Sequence, residues 1–211
     1  ATDCENVENA VRKMAAVLER VKTATDSDEL RGYEGECASL YFGCFNSLIT
    51  AQKDVFCFNG RSKRPPLDNV NALLSFMYAI LANDIRSALE TTGLDPQVGF
   101  FHRLRPGRPS LALDIMEEFR MYMADRIVLN LINLKQVAAG DFEKRETGEI
   151  RLSDRARKEV ITAYQKNKDE VIVHPLLDEK TTKGLLFHVQ SMLLARHVRG
   201  QAADYPPFYM K

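Results

Sequence analysis

Two carboxylates and an imidazole stand close together near the middle of the sequence. His102 lies in a stretch rich in glycine, proline and arginine, and Asp114 and Glu117 follow within an apolar helical pattern. Residues three apart on a helix project from the same face, so both carboxylates belong to a face that is otherwise apolar. Burying a carboxylate is costly unless a cation or hydrogen bonds compensate it. The pattern therefore fits two arrangements, a divalent-metal site or buried ion pairs with Arg120 or Arg126.

Glu34 is a third acidic residue in an unusual place, because it lies between Gly32 and Gly35. Each glycine inside a helix lowers helix stability by about 1 kcal/mol, so the pair needs a reason. One reason is the close approach of another backbone or of a nucleic-acid phosphate. The other is a bend at the helix start, where the helix dipole favours Glu34. One histidine with two or three carboxylates suits Mn²⁺ or Mg²⁺ better than a structural zinc site.

Arginines accompany these candidate ligands along the chain. Cations placed around an oxygen-rich metal site suit a phosphodiester substrate, because they hold phosphates while the metal stabilises the developing charge. Lys+Arg and Asp+Glu are equal at 29 each, so the net charge by itself does not indicate a nucleic-acid partner. The candidate phosphate-binding residues are Arg31, Arg61, Arg64, Arg103, Arg105, Arg108 and Arg120.

The elements that must position these residues are mostly helical. At 211 residues with 45% hydrophobic content, the chain is long enough for one large domain or two small ones. The apolar period predicts a mainly α fold of about six helices with one small β-hairpin, and Ser110 is the predicted N-cap of the fourth helix. The helices are predicted over residues 3–23, 29–50, 70–92, 111–138, 154–168 and 182–199, and the hairpin over 142–152.

Other sequence features limit the class of protein. The third predicted helix is apolar almost all round, which is typical of a central buried helix. No apolar run approaches the length needed to cross a bilayer, and no signal peptide opens the chain. The four cysteines contain no Cys-x-x-Cys pair and are interpreted as reduced thiols of a cytosolic protein. The start at Ala1, without Met, leads us to expect a fragment or a processed product.

Several motifs resemble the CRISPR-associated integrase that acts in spacer acquisition. Arg31-Gly-Tyr-Glu-Gly followed by Tyr41-Phe42 is similar to one family motif, and Gly99-Phe-Phe-His is similar to its histidine loop. Ser110-Leu-Ala-Leu-Asp-Ile-Met-Glu-Glu-Phe-Arg resembles the acidic helix, and Tyr205-Pro-Pro-Phe resembles the ending of type I-C-like members. Further similar segments are 61–66, 71–78 and 93–96, so the resemblance covers nearly the whole chain in the family's order.

The resemblance implies a metal-dependent DNA endonuclease and integrase. Such a protein joins foreign DNA fragments (spacers) into a CRISPR array by phosphodiester transesterification, in antiviral defence. The resemblance places Mn²⁺ or Mg²⁺ on Glu34, His102 and Glu117, with Asp114 as a further catalytic residue beside the metal. The implied DNA-phosphate contacts are Arg31, Arg105 and Arg120, and we add Arg61 and Arg64 from the basic cluster that Lys63 completes.

The resemblance also implies domains and partners. Residues 1–200 are predicted to form the helical catalytic domain and 201–211 a C-terminal tail, with the family's N-terminal β-domain, which mediates dimerisation, absent. The expected partners are double-stranded or branched DNA, a second copy in the full-length protein and the small second adaptation protein, in the prokaryotic cytoplasm and without a membrane. Two alternatives stay open: a non-catalytic helical DNA-binding or scaffold module, and a helical metal-dependent nucleotide phosphohydrolase.

Overall fold

The structure, a computed structural model, describes residues 2–103 and 105–210. Ala1, Leu104 and Lys211 lie outside the described residues. The expectation of a fragment or a processed product, which is based on Ala1, therefore also lies outside them. The α-helices are α1 (Asp3–Val21), α2 (Ser27–Cys44), α3 (Asn69–Thr91), α4 (Ser110–Phe119), α5 (Arg126–Asn133), α6 (Asp154–Lys168) and α7 (Leu186–Val198). A π-helical segment, Arg120–Asp125, joins α4 and α5 into one helical run. The predicted mainly α fold of about six helices is therefore confirmed.

Within residues 2–103 and 105–210, four short strands form two antiparallel hairpins, where the sequence predicts one. The strands are β1 (Phe142–Lys144), β2 (Ile150–Leu152), β3 (Val171–Val173) and β4 (Lys180–Thr182), paired β1 with β2 and β3 with β4. The predicted hairpin corresponds to β1 and β2. The second arises because Thr181 and Thr182, which the sequence analysis places at the start of the last helix, pair with Ile172 and Val171. Threonine is β-branched and favours a strand over a helix start when a partner strand is available.

The chain divides into two compact units. The first comprises Ala1–Ala72 and Leu129–Ser153, and the second Leu73–Val128 and Asp154–Lys211. In the first unit, Thr2 starts α1 with a capping box, because its hydroxyl accepts the Glu5 N–H and Glu5 accepts the Thr2 N–H. The buried α1 side chains in this unit are Ala10 and Val17, and Leu18 is 59% exposed. This helix packs against α2.

The helical run that contains the acidic residues ends at Asn133, five residues before the predicted end. Gln52 binds this end, since its side-chain amide donates to the carbonyls of Ile132 and Val137, both at 3.0 Å. Lys135 then adopts a φ of 56°, which turns the chain out of the helical path. The apolar pattern continues to Ala138, but the side-chain amide of Gln52 takes the place of further helical hydrogen bonds.

In the second unit, α3 supplies the centre of the core. Its fully buried residues there are Leu73, Leu74, Met77, Leu81, Ile85 and Leu89. By length and composition alone α3 is sufficient to cross a membrane, which the sequence analysis did not expect. The core helix of a globular protein can have the same length and composition, and the buried face of α3 is what a core helix requires. Asp84 of α3 accepts hydrogen bonds from Tyr164 (3.0 Å) and Lys168 (2.6 Å), which attach α6.

Candidate active site

Asp114 organises the loop that carries the histidine. Its side chain is fully buried, and one oxygen accepts the backbone N–H groups of Phe100 (2.7 Å) and Phe101 (3.0 Å). The other oxygen accepts the backbone N–H of His102 (2.8 Å) and lies 2.6 Å from its Nδ1. Four hydrogen bonds compensate the burial of this charge, and they fix both the loop backbone and the ring. An ion pair with Arg120 or Arg126 is not needed for Asp114.

The bond to Asp114 also decides how His102 presents its ring. A carboxylate accepts, so Nδ1 carries the proton and the neutral ring keeps a lone pair on Nε2. That Nε2 lies 4.0 Å from Oε1 of Glu117, and both side chains are partly exposed, at 17% and 32%. A carboxylate that orients a histidine from behind is the usual support for a metal-binding or proton-transferring imidazole.

Arg120 covers the other side of Glu117. Its guanidinium makes an ion pair with Glu117 and lies 5.3 Å from the ring centroid of Tyr78, whose hydroxyl donates to the buried Asp125 at 2.5 Å. Within the described residues, the buried Nε of Arg120 has no hydrogen-bond partner. Arg120 and Asp125 are the first and last residues of the π-helical segment. Such segments are rare and occur frequently at functional sites.

The start of α4 differs from the prediction. Ser110 is not an N-cap: it is the first helical residue, it is fully buried, and its hydroxyl contacts the carbonyl of Arg103 at 3.4 Å. The carbonyl of Pro96 replaces the cap, because it accepts the backbone N–H groups of Leu111 (2.9 Å) and Ala112 (3.2 Å). The connector thus folds over the helix start and brings the histidine loop against Asp114.

Gly99 is the position where this loop tolerates no side chain. A Cβ built there would lie 2.7 Å from the Asp114 carboxylate and 2.8 Å from the Ser110 backbone. We expect Gly99→Ala to lower the free energy of unfolding by about 1–3 kcal/mol, as overpacking does, and to reduce any activity of the site. Urea denaturation measures the loss. Gly140→Ala is the matched control, because no non-neighbouring described atom lies within 4 Å of that Cβ; equal effects of the two variants would contradict the expectation.

The predicted site residues are distributed over both units. His102, Asp114, Glu117, Arg120 and Arg105 belong to the second unit, and Arg31, Glu34, Arg61 and Arg64 belong to the first. Glu34 is exposed on α2, and Arg31 pairs with Asp28 at 2.5 Å. Arg105 and Arg64 are exposed in loops. Among residues 2–103 and 105–210, no three His, Cys, Asp or Glu side chains form a group able to hold a metal.

Arg61 has a structural role in the first unit. The fully buried Asn71 accepts its guanidinium N–H at 2.6 Å and the Ser62 N–H at 3.0 Å, and donates to the Gly60 carbonyl at 2.8 Å. Asn71 therefore fixes the backbone of the basic loop, and Arg64 extends from that loop into solvent. Of the two arginines predicted to contact phosphate here, Arg61 is therefore held by Asn71, whereas Arg64 is exposed.

Gly32 and Gly35, on either side of Glu34, have open space around them within the described part of the chain. A Cβ at Gly32 or Gly35 would meet no non-neighbouring described atom within 4 Å. Both residues lie inside α2, which begins five residues before Gly32. Close packing of another described backbone is therefore wrong as an explanation, whereas a bend near the helix start stays a prediction. The approach of a nucleic-acid phosphate stays a prediction.

Asp125 was not predicted as a site residue from the sequence. Tyr78 and Glu118 appeared in the sequence analysis only within segments that resemble the family's motifs. Asp125 follows Asp114 at a spacing of about three helical turns, on an apolar face, which is a signal that an acidic residue there is buried. Glu118 is partly buried; this burial raises the pKa of its carboxyl, and hydrogen bonds from Phe208 and Tyr205 oppose that shift. Burial and the nearby Glu118 charge raise the pKa of Tyr205.

The geometry of the second unit by itself thus indicates a class of site. A carboxylate-oriented imidazole, a partly exposed glutamate and an arginine converge on one helical run, an arrangement suited to cation binding and phosphate chemistry. The model of the family described as CRISPR associated protein Cas1 matches residues 1–166. The chain belongs to this family, which confirms the resemblance seen in the sequence. The type I-C-like subtype stays a prediction.

Individual relatives agree with the family assignment. A protein of Chlorobaculum tepidum named CRISPR-associated endonuclease is 55% identical over 207 residues, which are 98% of this chain and 60% of that protein. A solved CAS1 protein from Thermotoga maritima has a TM-score of 0.79 at 27% identity, covering 94% of this chain and 64% of that one. A chain of a Cas6-RT-Cas1–Cas2 complex has a TM-score of 0.85 at 26% identity, covering 98% and 22%. The chain spans about 60% of the length of three curated relatives that are 45% or more identical to it.

Proposed function

We propose that this chain is the helical catalytic part of a metal-dependent DNA endonuclease and integrase, which joins spacers into a CRISPR array by transesterification. The observation that carries the proposal is the orientation of His102 by the buried Asp114, with Nε2 directed toward Glu117. Family membership supports the choice of DNA as substrate. The helical catalytic domain of residues 1–200 and the tail of 201–211 are part of the same proposal.

The donor set fits a divalent cation. Two ligand atoms bound to one ion at about 2.1 Å lie at most about 4.2 Å apart, and Nε2 of His102 and Oε1 of Glu117 are 4.0 Å apart. One nitrogen with carboxylate oxygens suits Mn²⁺ or Mg²⁺. We propose His102, Glu117 and Glu34 as the ligands; Glu34 enters from the family resemblance. When bound, the cation supplies charge stabilisation to a phosphodiester and lowers the pKa of the attacking oxygen.

The protein's own residues have separate roles in this proposal. Asp114 keeps the proton on Nδ1 of His102 and thereby keeps Nε2 available as a ligand. Arg120 neutralises Glu117 and, with Arg31 and Arg105, holds the phosphate of the DNA backbone. The attacking group is water in hydrolysis and the 3′-hydroxyl of a DNA fragment in integration. In both reactions a P–O bond forms to the attacking oxygen, and the bond to the leaving 3′-oxygen breaks.

The proposed partners follow from the relatives. A structural neighbour of this chain is part of an assembly with Cas2, which supports the small second adaptation protein as a partner of the full-length protein. Double-stranded or branched DNA and a second copy of the chain complete the proposed assembly. Location in the prokaryotic cytoplasm stays a prediction.

A disintegration assay tests this function on branched DNA with full-length protein. We expect cleavage with Mn²⁺ and none after the metal is removed by chelation, and we expect nucleotides to be left intact. Glu117→Ala and Glu34→Ala are expected to weaken Mn²⁺ binding, whereas Glu36→Ala, an exposed residue on the same helix as Glu34, is not. Unchanged Mn²⁺ binding in both test variants would support a scaffold module, and nucleotide hydrolysis without DNA cleavage would support a phosphohydrolase.

The glycines of α2 provide a separate prediction about DNA contact. Gly32→Ala and Gly35→Ala each remove a helix-destabilising residue at an open position, so we expect each to raise stability by about 0.5–1 kcal/mol. If a phosphate approaches this surface, the added methyl groups will also weaken DNA binding. Gly43→Ala, on the same helix and equally open, should stabilise without affecting DNA. Denaturation and a salt titration of DNA affinity measure the two effects; unchanged DNA affinity in both test variants would rule out phosphate contact here.

A further inference from the structure

The C-terminal segment Tyr205–Phe208 is a motif that the proposed function does not use. Phe208 is 4% exposed, whereas Tyr209, the next residue, is 75% exposed. The Phe208 ring stacks on Phe119, with 5.2 Å between the centroids and 23° between the planes. The segment is therefore anchored on the second unit through a specific aromatic contact with the last residue of α4.

The same segment is bound to the acidic helix by a partly buried carboxylate. Glu118 accepts the Tyr205 hydroxyl at 2.6 Å, the Phe208 backbone N–H at 2.7 Å and the Gln190 side-chain amide at 3.1 Å. Three donors on one carboxylate compensate its burial, and two of them come from the tail. Removing either tail donor leaves a partly buried carboxylate with one hydrogen bond fewer, so the contact is costly to break.

Gln190 is itself held in one orientation. Nδ1 of the buried His174 accepts the backbone N–H groups of Leu176 (3.3 Å) and Leu177 (3.2 Å), so the proton lies on Nε2 and is donated to the Gln190 oxygen at 3.3 Å. The amide nitrogen of Gln190 must then face the tail, where it lies 3.0 Å from both the Tyr205 hydroxyl and the Pro206 carbonyl. The position of the tail is thus defined from two sides.

These contacts are made by Glu118 and Phe119, the two residues between Glu117 and the π-helical segment. We propose that Tyr205 and Phe208 are positioning residues, which hold Glu117 and Arg120 in place through Glu118 and Phe119. This role rests on the proposed function, because it concerns the same site. The physical reason is rotation: neighbouring helical residues point about 100° apart, so fixing residue 118 fixes the direction of residue 117.

The π-helical segment makes such a hold necessary. A π turn contains one more residue per hydrogen-bonded ring than an α turn, and it persists only where the surroundings favour it. Without the tail, the helix can return to α geometry, and this change would rotate Arg120 relative to Glu117. Phe119 packs against both Phe208 and Phe187, at 5.2 and 5.0 Å, directly before the segment begins.

Conservative variants of the full-length protein test this role. Tyr205→Phe removes only the hydroxyl group, which donates to Glu118 and accepts from Gln190, and Glu118→Gln keeps the shape of the side chain. Tyr209→Phe is the matched control in the same tail. We expect amide hydrogen exchange over residues 117–125 to become about tenfold faster in both test variants, as expected for one lost hydrogen bond. We also expect Mn²⁺ affinity, measured by electron paramagnetic resonance, to fall about fivefold, below the 10- to 100-fold cost of losing a residue that contacts a ligand directly.

A third variant separates positioning from plain stability. In a Glu117→Gln background, Tyr205→Phe should cause no further loss of Mn²⁺ affinity, because the side chain it positions no longer binds. Faster exchange with unchanged Mn²⁺ affinity would overturn the positioning role and leave a structural contact. Unchanged exchange in both test variants would overturn it as well. Wild-type Mn²⁺ affinity in His102→Ala would instead contradict the proposed function, so the two failures are distinguishable.

Discussion

His102→Ala is expected to abolish cleavage of branched DNA by the full-length protein, with a loss of at least about 10³-fold, or about 4 kcal/mol of transition-state stabilisation. The reason is that Nε2 is the one nitrogen donor in the proposed ligand set and faces Glu117 at 4.0 Å. The fold should survive, because the substitution removes one hydrogen bond to Asp114 and leaves the three backbone hydrogen bonds of that carboxylate in place.

The measurement pairs activity with stability. Cleavage rates come from the disintegration assay with saturating Mn²⁺, and the melting temperature reports the fold. His188→Ala is the matched control, since His188 is exposed on α7 and contacts Thr91 at 3.4 Å. We expect this control to retain full activity. A His102→Ala protein that cuts DNA at the wild-type rate would remove His102 from the proposed site.

Much of this site could be predicted because its residues are polar groups in an apolar pattern. Asp114 and Glu117 are three apart on one helical run, and the period alone places them on a common side. What the period could not give is their different surroundings. Asp114 is fully buried behind the histidine, whereas the Glu117 side chain is 32% exposed and pairs with Arg120. The difference arises from the loop before α4, whose path depends on contacts between residues far apart in sequence.

The features that escaped the sequence analysis share one cause. The Pro96 carbonyl in place of a Ser110 cap, and the pairing of β3 with β4, are both contacts between distant residues. Local propensity describes what a segment prefers by itself, and tertiary contacts can override it. The π-helical segment could not be predicted either, since Arg120–Asp125 has an ordinary helical composition. Helices with long apolar periods were predicted well because their burial depends on the pattern itself.

Asp114→Ala is the substitution for which we expect the largest loss of stability. It leaves the backbone N–H groups of Phe100, Phe101 and His102 without their charged acceptor. Hydrogen bonds to charged groups contribute about 1.5–3 kcal/mol each, so a loss of about 4–6 kcal/mol is expected after partial relaxation. Urea denaturation measures this loss, and Asp95→Asn, an exposed residue of the same connector, is the control. A loss under about 1 kcal/mol would contradict the anchoring role of Asp114.

Asp114→Asn separates the anchoring role from the chemistry of the imidazole. An asparagine keeps the shape, but its amide nitrogen donates where the carboxylate accepted. If the oxygen keeps the N–H groups of Phe100 and Phe101, the amide nitrogen faces both the backbone N–H and Nδ1 of His102. The backbone N–H then loses its acceptor, and the ring must accept at Nδ1. The proton consequently moves to Nε2, and the lone pair proposed to bind the metal is lost.

The expected result is therefore a protein that folds but binds Mn²⁺ about 10- to 100-fold more weakly, as loss of an orienting partner costs. Nitrogen chemical shifts of the His102 ring, measured by NMR, report the tautomer directly: a protonated Nδ1 in the wild type and a protonated Nε2 in the variant. If Asp114→Asn keeps the Nδ1 proton and the wild-type Mn²⁺ affinity, the carboxylate does not set the tautomer. Asp114 would then be needed only to hold the loop, and the activity of Asp114→Asn would follow its stability alone.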